Sequence, residues 1–372
     1  MRRFLLVLAA LFLLYGESYA CTSAIVAAHR SSEGVPLLWK HRDNTFSNTR
    51  VDYVTGGKYA YTALVPNTRR WSRGSFAGIN EVGLGTITTA TNKLPVATKE
   101  EWLACPRRRI GRATSVIALR ECATVDEVEE LLRTTKRGLG SKSNLGVADA
   151  TGAVAYFEVW DLGYRRYDVS QSGNDGFDVR SNFSHAGNPK KRGASKRRYD
   201  LIMKEMATHN GDFTPQDFIG YSRSYNSLKY GNVLATNDRY ICQNHTVPRY
   251  STVGAIVLVC DGNNLRMLVM NGHSASSVAV PVYVKAKRNI PQCVKGDAMR
   301  LLSEDFRAKA YYSPADGIRI LNKELVGRVL KIKQPKIEMP KEMPADIAAF
   351  NARIDALFAK HEKRVRKVLS KY

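Results

Sequence analysis

The sequence predicts an α+β fold in which helices are layered on antiparallel sheets. Three observations carry that expectation. Short apolar runs broken by turn residues fill the first hundred positions, helical spacing takes over near residues 196–208 and from Pro215, and a strand pattern returns around Asp261-Gly262. At 44% hydrophobic and 24% charged residues over 372 positions, the chain has the composition of a folded protein with a sizeable core.

Taken in order, Cys21 to Ala28 is an apolar segment, His29 to Gly34 a polar turn and Val35 to Trp39 an apolar return, the pattern of a hairpin. It brings Lys40, His41, Arg42 and Asp43 back to the level of Cys21. In "GSFAGINEVGLGTITTAT" the residues Asn80-Glu81-Val82-Gly83 turn between two short strands. "ATVDEVEELLRTTKRGLG" reads as a helix with Thr124 and Glu127 as a capping box and Gly138 near its end. Hairpins are expected around Thr151-Gly152 and Asp261-Gly262. Helices are expected over Lys196 to Thr208 and from Pro215, with Thr214 as cap. After Val284 the chain turns basic and Pro-punctuated. Its last helix, Ala345 to Leu369, sets Ile347, Phe350, Ile354, Leu357, Val365 and Val368 along one side. Such a basic amphipathic helix can rest on an anionic membrane, and more commonly packs on its own domain.

The first twenty residues have the features of a secretory leader. Arg2 and Arg3 give a positive start, Phe4 to Tyr15 an apolar run too short to span a bilayer, and Ser18-Tyr19-Ala20 a small-x-small cleavage site. The expected organisation is therefore a signal peptide (1–20), a main domain (21–284) and a basic, partly helical extension (285–372). The mature chain is expected to begin at Cys21 and to work in the periplasm or outside the cell, with no spanning segment. The net charge is +23, or +22 without Arg2, Arg3 and Glu17, which favours anionic partners. The basic residues form no nucleic-acid motif, so no nucleic acid is expected. Six cysteines in so long a chain, Cys21, Cys105, Cys122, Cys242, Cys260 and Cys293, are not a disulfide scaffold, and spacing does not choose partners among them. Cys242 with His245 has no second ligand pair to complete a metal site, and neither metal nor cofactor is expected. Oligomeric state is not legible.

Cys21 has three readings: a structural thiol, a lipidated anchor and a nucleophile. A lipoprotein leader generally has Leu three residues before the cysteine, where this chain has Ser18. For the nucleophile, an N-terminal cysteine carries its own assistance, because an α-amine titrating near about 7.7–8.0 can act as base on the side chain of the same residue.

"CTSAIV" followed by "GVPLLWKHRDN", "GINEVGLG", "VADATGAVAYFEV", "RSNFS" and "ASKRRYD" occur in that order from Cys21 to about Val284. Together they resemble the choloylglycine hydrolase and penicillin acyltransferase group of N-terminal nucleophile (Ntn) hydrolases. The resemblance implies a four-layer αββα sandwich and cleavage of linear amides. Cys21 would be the nucleophile, and its α-amine would take the thiol proton and return it to the leaving amine. Asp43 would hold that amine, and Asn182 would donate to the oxyanion or the amine. Lys40 stands where many relatives carry arginine; it supplies a cation near the thiolate without the planar fork of a guanidinium. Hydrolase relatives place an oxyanion asparagine where this chain has Ala90, and Asn92 is out of register. A family arginine falls on Arg198 rather than Arg197.

The expected substrate is a small N-acyl amide, and the basic surface favours an anionic one. Acyl transfer through the same acyl-enzyme, a secreted or lipid-anchored binding protein without the chemistry, and a cysteine protease using His41, His185 or His245 are the competing readings.

Overall fold

The computed structural model describes residues 20–68, 74–95, 98–104, 114–135, 142–160, 162–169, 175–187, 193–237, 245–312 and 320–372. The expected leader up to residue 19, Cys105, Gly138 and Cys242 lie outside the described residues. Two antiparallel sheets form the centre. The first has six strands in the order β10-β1-β2-β11-β12-β13, where β1 is Thr22–Val26, β2 Leu37–Asp43, β10 Phe177–Ser181, β11 Thr252–Val259, β12 Arg266–Met270 and β13 Val280–Tyr283. The second is a seven-stranded meander from β3 to β9: Thr49–Val54, Tyr61–Pro66, Ala77–Asn80, Gly85–Ala90, Ser143–Ala148, Val154–Trp160 and Gly163–Asp168.

Side chains alternate between the faces of a strand, and here both faces are apolar, so each sheet must be covered on both sides. Ile25, Leu38, Ile256 and Leu258 from the first sheet meet Ile79, Ile87 and Tyr156 from the second in one cluster between the sheets. On the outer face of the first sheet Ala24, Val26, Leu37, Trp39 and Val257 pack with Leu201, Ile202, Met206 and Phe218. Those four belong to α3 (Gly193–Ala207) and α4 (Pro215–Arg223). Outside the second sheet, Leu145, Val147, Ala155 and Phe157 pack with residues of α1 (Thr114–Glu121) and α2 (Val125–Thr134), among them Ala118, Val125, Val128 and Leu132. The order of layers is helix, sheet, sheet, helix. This is the αββα sandwich that the resemblance implies.

The hairpins form at the expected places. β1 and β2 pair with Thr22 opposite His41 and Ser23 opposite Lys40, and Gly83 closes the β5–β6 turn at φ +99°, a conformation that glycine adopts without strain. At α2 the Thr124 hydroxyl accepts from Glu127 N as expected, but the Glu127 carboxylate reaches back to Ala123 N at 2.6 Å, one residue before the cap. At α4 the full capping box exists, Thr214 with Asp217. The chain beyond Val284 adds α5 (Ala298–Ala310), α6 (Lys323–Leu330) and α7 (Ile347–Leu369), whose apolar sides continue the inter-sheet cluster past β13. α7 packs on the protein, and its buried side is Phe350, Ile354, Phe358, His361, Val365 and Leu369. Leu357 and Val368, expected on that side, are half-buried at its margins. Among the described residues no helix is long and apolar enough to cross a membrane.

Candidate active site

The period of two along a strand decides what surrounds Cys21. In β1 Ile25 faces the second sheet, and Ser23 and Cys21 follow on that side; Ser23 Oγ accepts there from Thr89 Oγ1 and Tyr156 Oη, both at 2.9 Å. In β2 Leu38, Lys40 and Arg42 share the inter-sheet side, whereas His41 and Asp43 turn to the other. Cys21 lines a cleft of about 250 Å³ together with Lys40, Arg42, Phe76, Ala90 and Lys142. Three of these are cations, and among the described residues no carboxylate lines the cleft.

The Cys21 nitrogen is here the amide of the intact Ala20–Cys21 peptide, standing where an α-amine would stand after cleavage. It donates to Asn182 Oδ1 at 2.5 Å, and Ala20 is buried. Asn182 follows β10, which pairs with β1 in the register Thr22 to Ser181. Its oxygen also accepts from Arg198 Nη2 at 3.0 Å, and its Nδ2 donates to Ala90 O at 2.7 Å. Asn182 therefore accepts from the Cys21 nitrogen, where the resemblance has it donate. The loop after β6 fixes it further, since Asn92 N donates to Asn182 O and Ser184 N to Asn92 O. This closeness demands a glycine at 187, where a Cβ would lie 1.9 Å from Lys93 O.

Arg198 projects from the buried stripe of α3 and is fully buried, whereas Arg197 is exposed. Besides Asn182 it donates to Thr22 Oγ1 and Ser181 Oγ, both at 3.2 Å, and Ser181 Oγ donates to Cys21 O at 3.1 Å. Burial lowers the Arg198 pKa to about 9, and the neighbouring Arg249 adds to the shift.

Asp43 is fully buried on the helix side of the sheet. Its Oδ1 accepts from Thr252 Oγ1 at 2.8 Å with His41 Nε2 at 3.3 Å, and Arg249 Nε stands 3.8 Å from Oδ2. The Cys21 thiol meets the Asp43 carbonyl oxygen at 3.8 Å. Here it is thus Asp43's backbone, and not its carboxylate, that hydrogen-bonds with Cys21. Sequence reasoning missed Thr252 and Arg249, because only the pairing of β2 with β11, Asp43 opposite Thr252, brings them here. Of the three histidines weighed for a protease, His41 holds Thr252 and Asp43, His185 stacks on Phe183, and His245 meets the Tyr230 ring edge-on.

Lys40 Nζ donates to Thr88 O and, at 3.2 Å, to Thr89 Oγ1, and it lines the same cleft as Cys21. Cys122, Cys260 and Cys293 are free buried thiols away from this cleft, and burial raises the pKa of each, to about 12 for Cys122. Such thiols are inert.

No protein-family model matches the chain, and no curated protein does. Solved structures that the chain is similar to include a mutant of conjugated bile acid hydrolase from Clostridium perfringens, at 11% identity and TM-score 0.45, over 71% of this chain and 92% of that one. Penicillin V acylase from Agrobacterium tumefaciens is similar at 15% identity and TM-score 0.45, over 71% and 86%. A Caenorhabditis elegans ortholog of N-acylethanolamine-hydrolyzing acid amidase is similar at 20% identity and TM-score 0.40, over 64% and 92%.

Proposed function

We propose that this protein is an exported amidase that cleaves the linear C–N bond of N-acyl compounds through an acyl-enzyme on Cys21. The observation that carries the reading is the placement of Cys21: its sulfur opens on a cleft and its nitrogen is held by Asn182 Oδ1 at 2.5 Å. Release of residues 1–20 would turn that nitrogen into an α-amine, a proton carrier beside the nucleophile. Attack of the thiolate on an amide carbon gives a tetrahedral intermediate, whose collapse expels the amine, and water then releases the acid. Lys40, Arg42 and Lys142 around the cleft favour a substrate with an anionic group.

The test is turnover of a panel of N-acyl amides by the exported protein and by Cys21→Ala, with intact-mass analysis of both. The expected result is a mature chain that begins at an unmodified Cys21, gains one acyl mass on rapid quench, and loses turnover in Cys21→Ala. Retained turnover in Cys21→Ala, or a lipid on Cys21, would overturn the reading.

A further inference from the structure

We propose that the outer side of α7 is a docking surface for an anionic phospholipid bilayer. Arg353, Lys360, Lys363, Arg364 and Lys367 are exposed on α7, and Lys371 is exposed in the turn that closes it. They recur at helical intervals of three, four and seven residues, so they share one side of the helix, over about 27 Å at 1.5 Å per residue. The opposite side is buried on the sandwich from Phe350 to Leu369. Held there, α7 cannot turn its apolar side to lipid, and what it offers is charge. The carboxylates of α7 and its cap lie off the stripe and are engaged. Asp346 accepts from Ala349 N, Asp355 from Gln292 N and Cys293 N, and Glu362 pairs with Arg366. Among the described residues none of the six cations is in an ion pair.

A face that serves only to keep a helix in water mixes both signs. Other helices of the chain do so: Arg133 pairs with Glu130 on α2, Lys196 with Asp200 on α3, Arg300 with Glu304 on α5 and Arg328 with Glu324 on α6. On α7 the neighbours four residues apart, Lys360 with Arg364, Lys363 with Lys367 and Lys367 with Lys371, have like sign, which weakens a helix. The partial negative charge at a helix C-terminus offsets this within the last turn. It accounts for Lys367 and Lys371, and not for Arg353, Lys360 or Lys363. A stripe of one sign, kept at a cost in helix stability, fits a partner of the opposite sign.

That partner is a plane of phosphates rather than a nucleic acid. Because α7 is packed on the sandwich along its length, it presents a strip and cannot enter a groove as a reading helix does. The stripe has no aromatic ring on which bases stack and no amide to pair with adenine. Clusters of four to eight Lys or Arg on an amphipathic helix bind anionic headgroups, each cation near the surface strengthening binding about fivefold. The net charge of +23 draws the whole protein toward such a surface, and the stripe sets which face meets it. The inference does not depend on the chemistry at Cys21.

The experiment sediments the protein with vesicles of phosphatidylcholine alone, or of phosphatidylcholine with phosphatidylglycerol. The chain used begins at Cys21, so that the apolar run Phe4 to Tyr15 cannot bind lipid in place of α7. Wild type is expected to bind the mixed vesicles, to leave phosphatidylcholine alone, and to be released in about 1 M salt, where charges are screened beyond about 3 Å. In the variant Lys360→Gln, Lys363→Gln, Arg364→Gln, Lys367→Gln the partition coefficient is expected to fall about 100-fold or more. A control of equal net charge, Lys58→Gln, Lys99→Gln, Lys204→Gln, Lys229→Gln, changes exposed lysines elsewhere and stays within about fivefold of wild type. All eight side chains are exposed, so both variants are expected to melt with wild type. A loss in the stripe variant no larger than in the control would show that overall charge binds, and binding that survives about 1 M salt would show apolar insertion. Tighter binding to a DNA duplex than to mixed vesicles at equal phosphate would make the stripe a nucleic-acid contact. Any of these, or wild type unbound to the mixed vesicles, would overturn the proposal.

Discussion

Asn182 carries three contacts on one amide, and two of them converge on the oxygen that holds the Cys21 nitrogen. Alanine there would strip the Cys21 N–H and one Arg198 N–H of their buried acceptor. Each such loss costs about 1–3 kcal/mol. Asn182 does not line the cleft, so in the proposed reaction the substrate would keep its contacts while Cys21 loses its anchor. Asn182→Ala is therefore expected to lower kcat by about 100-fold or more with little change in KM, a mispositioning effect. Steady-state kinetics on any substrate that wild type turns over decides it, and a kcat within about twofold of wild type would remove Asn182 from the machinery. The motif "RSNFS" makes this asparagine visible in the sequence, yet not which way its amide points. That depends on Ala90 O, ninety-two residues away in the chain and adjacent in space.

Strands and helices are legible where the spacing of apolar residues is local. The β1–β2 hairpin follows from residues 21–43 alone, and so does its consequence that Lys40 returns to Cys21. The motif favours Arg198 over Arg197 only by its place before the tyrosine, and it is packing that separates them: Arg198 is buried with Leu201, Ile202 and Met206 on α3, whereas Arg197 is exposed. What stays hidden are partners joined by long-range pairing, such as Thr252 and Arg249 on Asp43, because register between distant strands leaves no local trace. The last helix shows a second limit. Spacing alone admits either Leu357 or Phe358 on the buried side, and the packing of α7 selects Phe358, which is 3% exposed. Phe358→Ala is expected to cost about 3–5 kcal/mol of stability, as large aromatic truncations in a core do. Leu357→Ala, at the margin, is expected to cost less than about 2 kcal/mol. Urea unfolding of the two variants tests the assignment, and equal losses would show that the helix is rotated from the orientation described.

The C-terminal region joins the sandwich through buried polar groups as well as apolar ones, and that makes the fold sensitive to acid. His361 on α7 places Nε2 3.0 Å from Ser276 O, and His273 in the same loop places Nε2 3.1 Å from both Arg249 O and Tyr311 Oη. Ala275 N donates to His273 Nδ1, so that ring is neutral, with its proton on Nε2. Burial lowers both histidine pKa values, His273 the more strongly; Arg307 presses on His273, and Arg223 and Arg364 on His361. In the unfolded chain each histidine protonates near about 6.5. Below that pH the unfolded state binds protons that the folded state refuses, so stability falls as pH falls, by up to about 1.4 kcal/mol per pH unit for each histidine. Above about pH 7 the contribution is complete and flat. Melting temperatures between about pH 8 and pH 5, before most carboxylates titrate, are therefore expected to hold steady and then drop. His361→Gln, whose amide can still donate to Ser276 O, is expected to flatten part of that drop while leaving the value at about pH 8 close to wild type. A melting temperature unchanged down to about pH 5 would show that neither imidazole is kept neutral by the fold, and that α7 is held to the sandwich by its apolar face alone.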